Sequence, residues 1–306
     1  MISVSAPGKL FLSGEYAVLE GGRAVVTTVN RRATANIVNY AVPASPVLAA
    51  VAKCAGRKLN IDPSKLPNVA VNTDSLSQKR SKLGLGSSAA TAASACAVLF
   101  EWANHSIHKS KALILKTALE AHTLAQNGRG SGADVSASVM GGTIVFATGC
   151  TPKPIDNTID NLVVIWTGKS ASTTSLLGQV ANYKAADPLS YKMLMDEMVA
   201  ESYALANAYR DANINKVIEL TKNYYFFMLK LQKASKAPII TPEHALIYKL
   251  AIDAGGAAKP SGAGGGDIAT AIFNSKKDTE NFVKNCLLNN FEPLDIALHT
   301  KGIEAS

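Results

Sequence analysis

The nine residues Lys82-Leu-Gly-Leu-Gly-Ser-Ser-Ala-Ala90 (KLGLGSSAA) separate a basic, polar run from a long run of small residues. Gly84 and Gly86 can adopt positive φ, and without a Cβ they leave the backbone N–H groups open to an anion. The serines and alanines that follow predict a helix over Ser87–Asn104. The unpaired N–H groups at the start of such a helix attract negative charge. The stretch therefore predicts a loop suited to phosphate.

Other interpretations of this stretch must be weighed. It formally matches a dinucleotide fingerprint as Gly84-x-Gly86-x-x-Ala89, but that motif follows an apolar strand, whereas the polar run Ser77–Lys82 precedes it here. A Walker A loop is excluded, because the only Gly-Lys-Ser, at residues 168–170, has Val163 where that motif requires glycine. Two interpretations of this stretch therefore remain: a phosphate-binding loop, and a loop that only precedes a capped, buried helix.

Two further glycine-rich loops lie downstream. The loop Asn127–Asp134 (NGRGSGAD) ends on a carboxylate, which is either a helix N-cap or a functional acid. The loop Lys259–Asp267 (KPSGAGGGD) contains four glycines within five residues. Because ordering them costs entropy, they indicate a backbone that approaches another group closely. Near the N-terminus, Lys9 follows Pro7-Gly8 at a predicted turn between two apolar strands; a solvated lysine is the alternative to a functional one.

The composition bounds the class of protein. The 306 residues include 31 Lys and Arg against 23 Asp and Glu, a formal charge of +8, and the cations form no continuous block. This spread favours a small anionic ligand over nucleic acid. The four cysteines are far apart without a Cys-x-x-Cys motif, and no signal-peptide pattern or membrane-length apolar run is present. We expect a cytoplasmic protein that binds neither nucleic acid nor membrane.

Strand and helix patterns follow one another without regular βαβ order, which predicts an α+β fold. The predicted strands are Ile2–Ala6, Leu10–Leu19 broken by Ser13-Gly14, Val25–Val29, Ala33–Val38, Asn68–Asn72, Thr143–Ala147, Leu162–Trp166, Ile268–Phe273 and Leu294–Leu298. The predicted helical regions are Pro46–Ala55, Ser87–Asn104, Ser110–Gln126, Thr174–Gln232, Pro242–Ala254 and Lys277–Leu288. The polar segment Gly149–Asn161 is the predicted connection between two domains, residues 1–160 and 161–306.

Three of these motifs, taken in order, resemble the three motifs of the GHMP small-molecule kinases. They are Pro7–Leu19 (PGKLFLSGEYAVL), Gly84–Ala90 (GLGSSAA) and Ser261–Asp267 (SGAGGGD), which together span nearly the whole chain. The resemblance implies a two-domain α+β fold, with an N-terminal ATP-binding domain like ribosomal protein S5 domain 2 and a ferredoxin-like C-terminal domain. It also implies ATP and Mg2+ as cofactors.

Within this family, Ala121–Asp134 (AHTLAQNGRGSGAD) resembles the A-H-x-x-A-Q-G-x-x-G-S-G-x-D pattern of the phosphomevalonate kinase subfamily. That subfamily transfers the γ-phosphate of ATP to the phosphate of 5-phosphomevalonate. The chain departs from the pattern in being short for the subfamily. In addition, His122 stands where mevalonate kinases have a magnesium-binding Glu, with Glu120 nearby. A mevalonate kinase or another GHMP kinase with a hydroxyl acceptor, and a non-catalytic protein of the same fold, are the alternatives.

The resemblance implies roles for individual residues. ATP phosphates would lie on Gly84, Leu85, Gly86, Ser87, Ser88 and Ala89, with Ser88 as a ligand of Mg2+. Lys9, Lys82 and Asp134 would act on the transferred group. The implied substrate contacts are Lys9, Glu15, Tyr16, Ser131, Gly132, Lys169, Ser172, Thr173, Ser261, Gly262, Ala263 and Gly264.

The chemistry of the acceptor bears on these roles. A phosphate monoester has a second pKa of about 6, so it is largely deprotonated at neutral pH and has less need of a base than a hydroxyl does. We therefore expect the lysines, which cancel repulsion between two polyanions, to matter at least as much as Asp134. The sequence leaves the oligomeric state open, with a homodimer among the choices.

Overall fold

The computed structural model describes residues 2–43, 45–78, 81–128, 130–157, 160–298 and 300–305. The chain forms two compact units. The first contains Met1–Leu10, Val26–Ile144 and Ala297–Ser306, and the second contains Phe11–Val25 and Val145–Ile296. Each unit is therefore discontinuous in sequence, and the assignment of residues 1–160 and 161–306 to two domains stays a prediction. Within the described ranges, no helix is both long enough and apolar enough to cross a bilayer.

The strands and helices of both units follow in chain order. The strands are β1 Ser3–Ser13, β2 Ala24–Val38, β3 Asn68–Asn72, β4 Ser77–Gln78, β5 Ser81–Lys82, β6 Thr143–Phe146, β7 Lys153–Ile155, β8 Leu162–Trp166, β9 Ala257–Pro260, β10 Ile268–Ile272 and β11 Glu304–Ala305. The α-helices are α1 Pro46–Leu59, α2 Ser87–Trp102, α3 Lys111–Ala125, α4 Ala133–Met140, α5 Thr173–Ala186, α6 Pro188–Arg210, α7 Ile214–Ser235, α8 Pro242–Asp253 and α9 Lys276–Leu288. Short 3₁₀ turns occupy Ala17–Glu20, Pro63–Lys65 and Asp74–Leu76.

In the first unit, a sheet with the order β11-β1-β2-β6 is accompanied by the packed helices α1 to α4, and β3 also pairs with β2. The α2 helix is buried along most of its length, and most of its own buried residues are alanines. Because alanine adds only a methyl group, neighbouring helices can approach α2 closely. The Ala-rich run after the glycine loop thus holds α2 in the core from Ala89 onward, whereas Ser87 and Ser88 at its start are half-buried.

Arg32 of β2 ties the C-terminal strand to this unit. Its guanidinium donates to the carbonyl oxygens of Lys301 (2.9 Å) and Gly302 (2.5 Å), and to the Ser5 hydroxyl (2.9 Å). It also pairs with Glu304 at 3.4 Å. Next to these contacts, β11 pairs antiparallel with β1.

In the second unit, the antiparallel sheet β8-β10-β9 packs against α8 and α9. Its core includes Val163 and Ile165 of β8 and the ring pair Phe273–Phe282. At the start of α8, the Thr241 hydroxyl accepts from the His244 N–H, and His244 Nδ1 accepts from the Thr241 N–H, both at 3.3 Å. This reciprocal cap holds the His244 ring in the interior, and burial lowers its pKa to about 4.

Most predicted elements are present, and the errors have physical causes. The strand predicted over Leu10–Leu19 ends at Ser13, and a 3₁₀ turn occupies Ala17–Glu20. The predicted strands Val25–Val29 and Ala33–Val38 are parts of the single strand β2. The strands Asn68–Asn72 and Leu162–Trp166 have the predicted bounds. The predicted turn at Pro7-Gly8 is wrong, because β1 runs through it and the Lys9 N–H donates to the Leu85 carbonyl at 2.8 Å. The predicted strand Leu294–Leu298 is also wrong. That segment passes from one unit to the other and forms only single bridges at its ends.

Candidate phosphate-binding and transfer site

The loop before α2 has the backbone form that an anion site requires. Gly84 and Gly86 both have positive φ, 77° and 76°. Gly86 occupies the N-cap of α2, where no side chain caps the helix. The N–H groups of the first turn have no carbonyl partner within the helix, so they are available to a ligand oxygen. The predicted phosphate loop therefore has open donors at the positive end of a 16-residue helix.

Lys9 lies across this loop. Its side chain is 7% exposed, and its ammonium donates to the Gly84 carbonyl at 3.4 Å. A Cβ on Gly86 would lie 2.9 Å from both Cγ and Cε of Lys9. Gly86 thus makes room for the side chain of Lys9. Lys9 is a buried cation held against the predicted phosphate loop, and the solvated-lysine alternative is wrong.

Ser88, the predicted metal ligand, lies beside His122 of α3. The Ser88 hydroxyl is 3.2 Å from His122 Nε2, and the Gln126 amide is 3.1 Å from the same nitrogen. The nearby Glu120 instead pairs with Arg57 on the surface. A nitrogen, not a carboxylate, therefore adjoins Ser88 at the first turn of α2.

Asp134 lies in the first turn of the short helix α4. The N-cap of that helix is Gly132, with φ of 83°, so the alternative reading of Asp134 as the N-cap is wrong. The Ser131 hydroxyl accepts from the Ala133 N–H at 3.2 Å, and Asp134 Oδ1 accepts from the Val135 N–H at 3.0 Å. A partly exposed carboxylate at a helix start is favoured by the dipole and can face a ligand.

Lys82 belongs to the small ribbon β4–β5, directly before the phosphate loop. It is exposed, and it pairs in register with Ser77. Residues 79 and 80 lie outside the described residues. Lys82 is thus placed at the start of the loop by the pairing of β4 with β5, and its contact with a substrate stays a prediction.

In the second unit, the first and third motifs are joined through a buried ion pair. Lys259 Nζ donates to Glu15 Oε1, and the two side chains are 0% and 1% exposed. Glu15 Oε1 also accepts from the Gly262 N–H at 3.3 Å. The pair therefore links the segment after β1 to the glycine-rich loop.

Two more bonds join the same segments. The Tyr16 hydroxyl donates to the Ala263 carbonyl at 2.6 Å, and the Phe11 N–H donates to the Ser261 hydroxyl at 2.9 Å. Gly264 packs closely, because a Cβ there would lie 2.2 Å from the Ile239 carbonyl. The predicted residues Glu15, Tyr16 and Ser261 are thus brought together with the loop, although their contact with a substrate stays a prediction.

The remaining predicted residues lie at the start of α5. Ser172 caps this helix by accepting from the Ser175 N–H at 3.4 Å, and Thr173 is its first residue. The Lys169 carbonyl accepts from the Asp267 N–H at 2.6 Å. The exposed Lys169 ammonium bonds to Glu243 and thereby lowers the pKa of that carboxyl to about 2. This segment contacts the third motif through its backbone.

Lys259 is the residue of this second cluster that sequence reasoning missed. The sequence held a signal, because Lys259 directly follows Ala257 and Ala258, and a lysine within a small apolar segment requires a partner if that segment is buried. Its partner Glu15 could not be read from the sequence, since 244 residues separate the two.

Comparison with known proteins identifies the class. The family model "GHMP kinases N terminal domain" matches residues 45–142, and "GHMP kinases C terminal" matches residues 206–292. Together they cover more than half of the chain, including the phosphate loop and α7 to α9. The chain belongs to the GHMP kinase family, as its three motifs predict, and it has the mixed α and β fold of that family.

Two of the most similar curated relatives are phosphomevalonate kinases. The enzyme of Streptomyces sp. (strain CL190) is 23% identical over 337 residues, covering 89% of both chains. That of Saccharolobus solfataricus is 25% identical over 302 residues, covering 90% of this chain and 91% of the relative. The structure of Streptococcus pneumoniae phosphomevalonate kinase in complex with phosphomevalonate and AMPPNP has a TM-score of 0.83 at 20% identity, covering 97% of this chain and 100% of that one. This structural likeness establishes the shared fold.

Proposed function

We propose that this protein is a phosphomevalonate kinase. It transfers the γ-phosphate of ATP to the phosphate of 5-phosphomevalonate, giving ADP and 5-diphosphomevalonate. The observation that carries the proposal is similarity to two phosphomevalonate kinases over about nine tenths of the chain. The segment Ala121–Asp134, which differs from the mevalonate kinase pattern, supports the same acceptor.

In the proposed reaction, the chain binds and screens two polyanions. The N–H groups from Gly84 to Ala89 hold the phosphates of ATP, and Lys9 takes up negative charge as the phosphoryl group moves. The Lys9 ammonium is already fixed against the loop, so little reorganisation is needed when charge develops. Asp134 orients the acceptor phosphate or takes its remaining proton, while Lys82 neutralises charge at the loop entrance.

The residues present fit Mg2+ bound mainly through its substrates. The Ser88 hydroxyl offers one oxygen ligand, and among the described residues no group of three or more His, Cys, Asp or Glu could hold a metal ion. Mg2+ usually keeps several waters and binds proteins through one or two oxygens plus substrate phosphates. When bound, it would neutralise phosphate charge. His122 offers a nitrogen, a poor magnesium ligand, and is better suited to orient Ser88.

The proposal includes a reducing, cytoplasmic location. All four cysteines are free thiols, and Cys150 is exposed without being paired. The oligomeric state, a homodimer included, stays a prediction.

An assay of ADP release with mevalonate, 5-phosphomevalonate and homoserine, measured side by side, tests the proposal. We expect release that depends on 5-phosphomevalonate, with the diphosphate product visible by phosphorus NMR. Preference for mevalonate would instead assign a hydroxyl-phosphorylating kinase. No transfer to any of the acceptors would favour a non-catalytic protein of this fold.

A further inference from the structure

Burying the Glu15–Lys259 pair costs desolvation free energy, so a gain in stability alone does not explain its presence. Both side chains are withdrawn from water, and the desolvation of two buried charges offsets most of their mutual attraction. In proteins generally, replacing a buried ion pair by apolar residues of similar volume is often neutral or stabilising. A role beyond stability is therefore expected for these charges.

The pair fixes the backbone at the start of the third motif. Glu15 Oε1 accepts from the Gly262 N–H at 3.3 Å, and Lys259 Nζ donates to the Pro260 carbonyl at 3.0 Å. Gly262 and Gly264 both have positive φ, 90° and 79°, and such a loop loses much entropy when ordered. Two fixed charges at its base reduce the conformations that the loop can sample.

The surroundings keep this charge pair intact. Tyr16, Tyr209 and Tyr224 lie around Glu15, and burial first, then the negative charge of Glu15, raises the pKa of each phenol. The Tyr224 hydroxyl donates to the Glu15 carbonyl at 2.7 Å. The tyrosines thus stay neutral, and the carboxylate has Lys259 as its counter-charge.

We infer that Glu15 and Lys259 are positioning residues, which together hold the Ser261–Gly264 loop in the form that binds substrate phosphate. Glu15 acts through the loop and does not itself touch the acceptor. The inference rests on the proposed function, because that function supplies the phosphate.

A double-variant cycle tests this inference. In Glu15→Gln, an oxygen remains for the Gly262 N–H, but Lys259 loses its counter-charge; in Lys259→Met, Glu15 is left as an unpaired buried charge. We expect each single variant to lower kcat/KM roughly tenfold or more. The double variant carries no charge at either position, so its Tm should return close to that of the wild type. It lacks the ion pair and the Lys259 bond to the Pro260 carbonyl that fix the loop, so its kcat/KM should stay at least about threefold below the wild type.

Other outcomes would overturn the inference. If Glu15 touched the acceptor, the losses in Glu15→Gln and in the double variant would appear in the KM for 5-phosphomevalonate alone, and folded Lys259→Met would keep the wild-type kcat/KM. If the pair only stabilised the fold, the single variants would have a lower Tm but unchanged kcat and KM for their folded fraction. If the single variants do not fold, the kinetics of the double variant still separate these cases.

A matched control lies on the exposed faces of α6 and α7. Glu197 and Lys230 pair there at 3.3 Å, with both side chains more than half exposed. Glu197→Gln and Lys230→Met should leave kcat and KM unchanged, alone and together. If the wild type uses another acceptor, the proposed function fails, but the same cycle measured with that acceptor still tests the inference.

Discussion

Replacement of Gly86 by alanine separates two roles that a glycine can have in a phosphate loop. The new Cβ would lie 2.9 Å from Cγ and Cε of Lys9, well inside the roughly 3.5–4.0 Å at which carbon atoms meet favourably. The positive φ of 76° adds a backbone cost, which for a non-glycine residue is about 1–2 kcal/mol. Because the lysine stem is flexible, we expect it to give way and move its ammonium from the loop.

The expected result is a loss of activity larger than the loss of stability explains. A hydrogen bond to a charged group contributes roughly 1.5–3 kcal/mol, so a displaced Lys9 should lower kcat roughly ten- to hundredfold. Gly149→Ala is the matched control: its φ is 77°, but a Cβ there meets nothing within 4 Å. Both variants should lose about 1–2 kcal/mol in urea unfolding, and only Gly86→Ala should lose kcat.

Equal kcat values for the two alanine variants would refute this reasoning. The variant Lys9→Ala then identifies which atoms are responsible, because it removes the side chain that the new Cβ would contact. In that background, Gly86→Ala should have no further effect on kcat. A remaining effect would mean that the Cβ blocks phosphate directly.

Three further outcomes are expected. The pKa of His244 is about 4 in the fold against 6.5 in the unfolded chain. Its contribution to the free energy of unfolding should therefore be fully present above pH 6.5, and roughly 3 kcal/mol should be lost as the pH drops towards 4. In urea titrations, His244→Gln, which can still cap Thr241, should remove this part of the pH dependence. Lys9→Met should lower kcat at least as much as Asp134→Asn if the acceptor is a phosphate, and an inactive Asn variant beside a nearly intact Met variant would contradict the proposed charge cancellation. Ala93→Leu, in the fully buried face of α2, should cost about 1–3 kcal/mol by overpacking, measured by thermal unfolding.

Elements with a local cause were predictable from the sequence. The α2 helix was predicted from its serines and alanine run, although its N-cap is Gly86 and not a serine. The strand Leu162–Trp166 follows from its apolar residues between polar ones. The prediction of a turn at Pro7-Gly8 was wrong, because backbone hydrogen bonds to distant residues outweigh the local preference of Pro and Gly for a turn. One of these bonds joins the Lys9 N–H to the Leu85 carbonyl. Local residues cannot report such a partner.

In the candidate site, too, local features could be predicted from the sequence and long-range contacts could not. The loop from Gly84 to Ser88 could be predicted because its glycines and helix start are contiguous. That Gly86 makes room for Lys9, and that Glu15 bonds to Lys259, depend on long-range contacts between residues remote in sequence. The sequence indicates which residues are cations and which segments are loops, but only the folded structure shows which cation contacts which loop.

The tie between Arg32 and the C-terminal strand has a consequence for biosynthesis. Residues 297–306 belong to the first unit, yet the ribosome makes them after every residue of the second. The second unit can therefore complete its contacts on the nascent chain, whereas the first must wait for β11 to pair with β1. A stop codon before Ala297 would deprive Arg32 of the Lys301 and Gly302 carbonyl acceptors and leave the edge of β1 open to pairing between molecules.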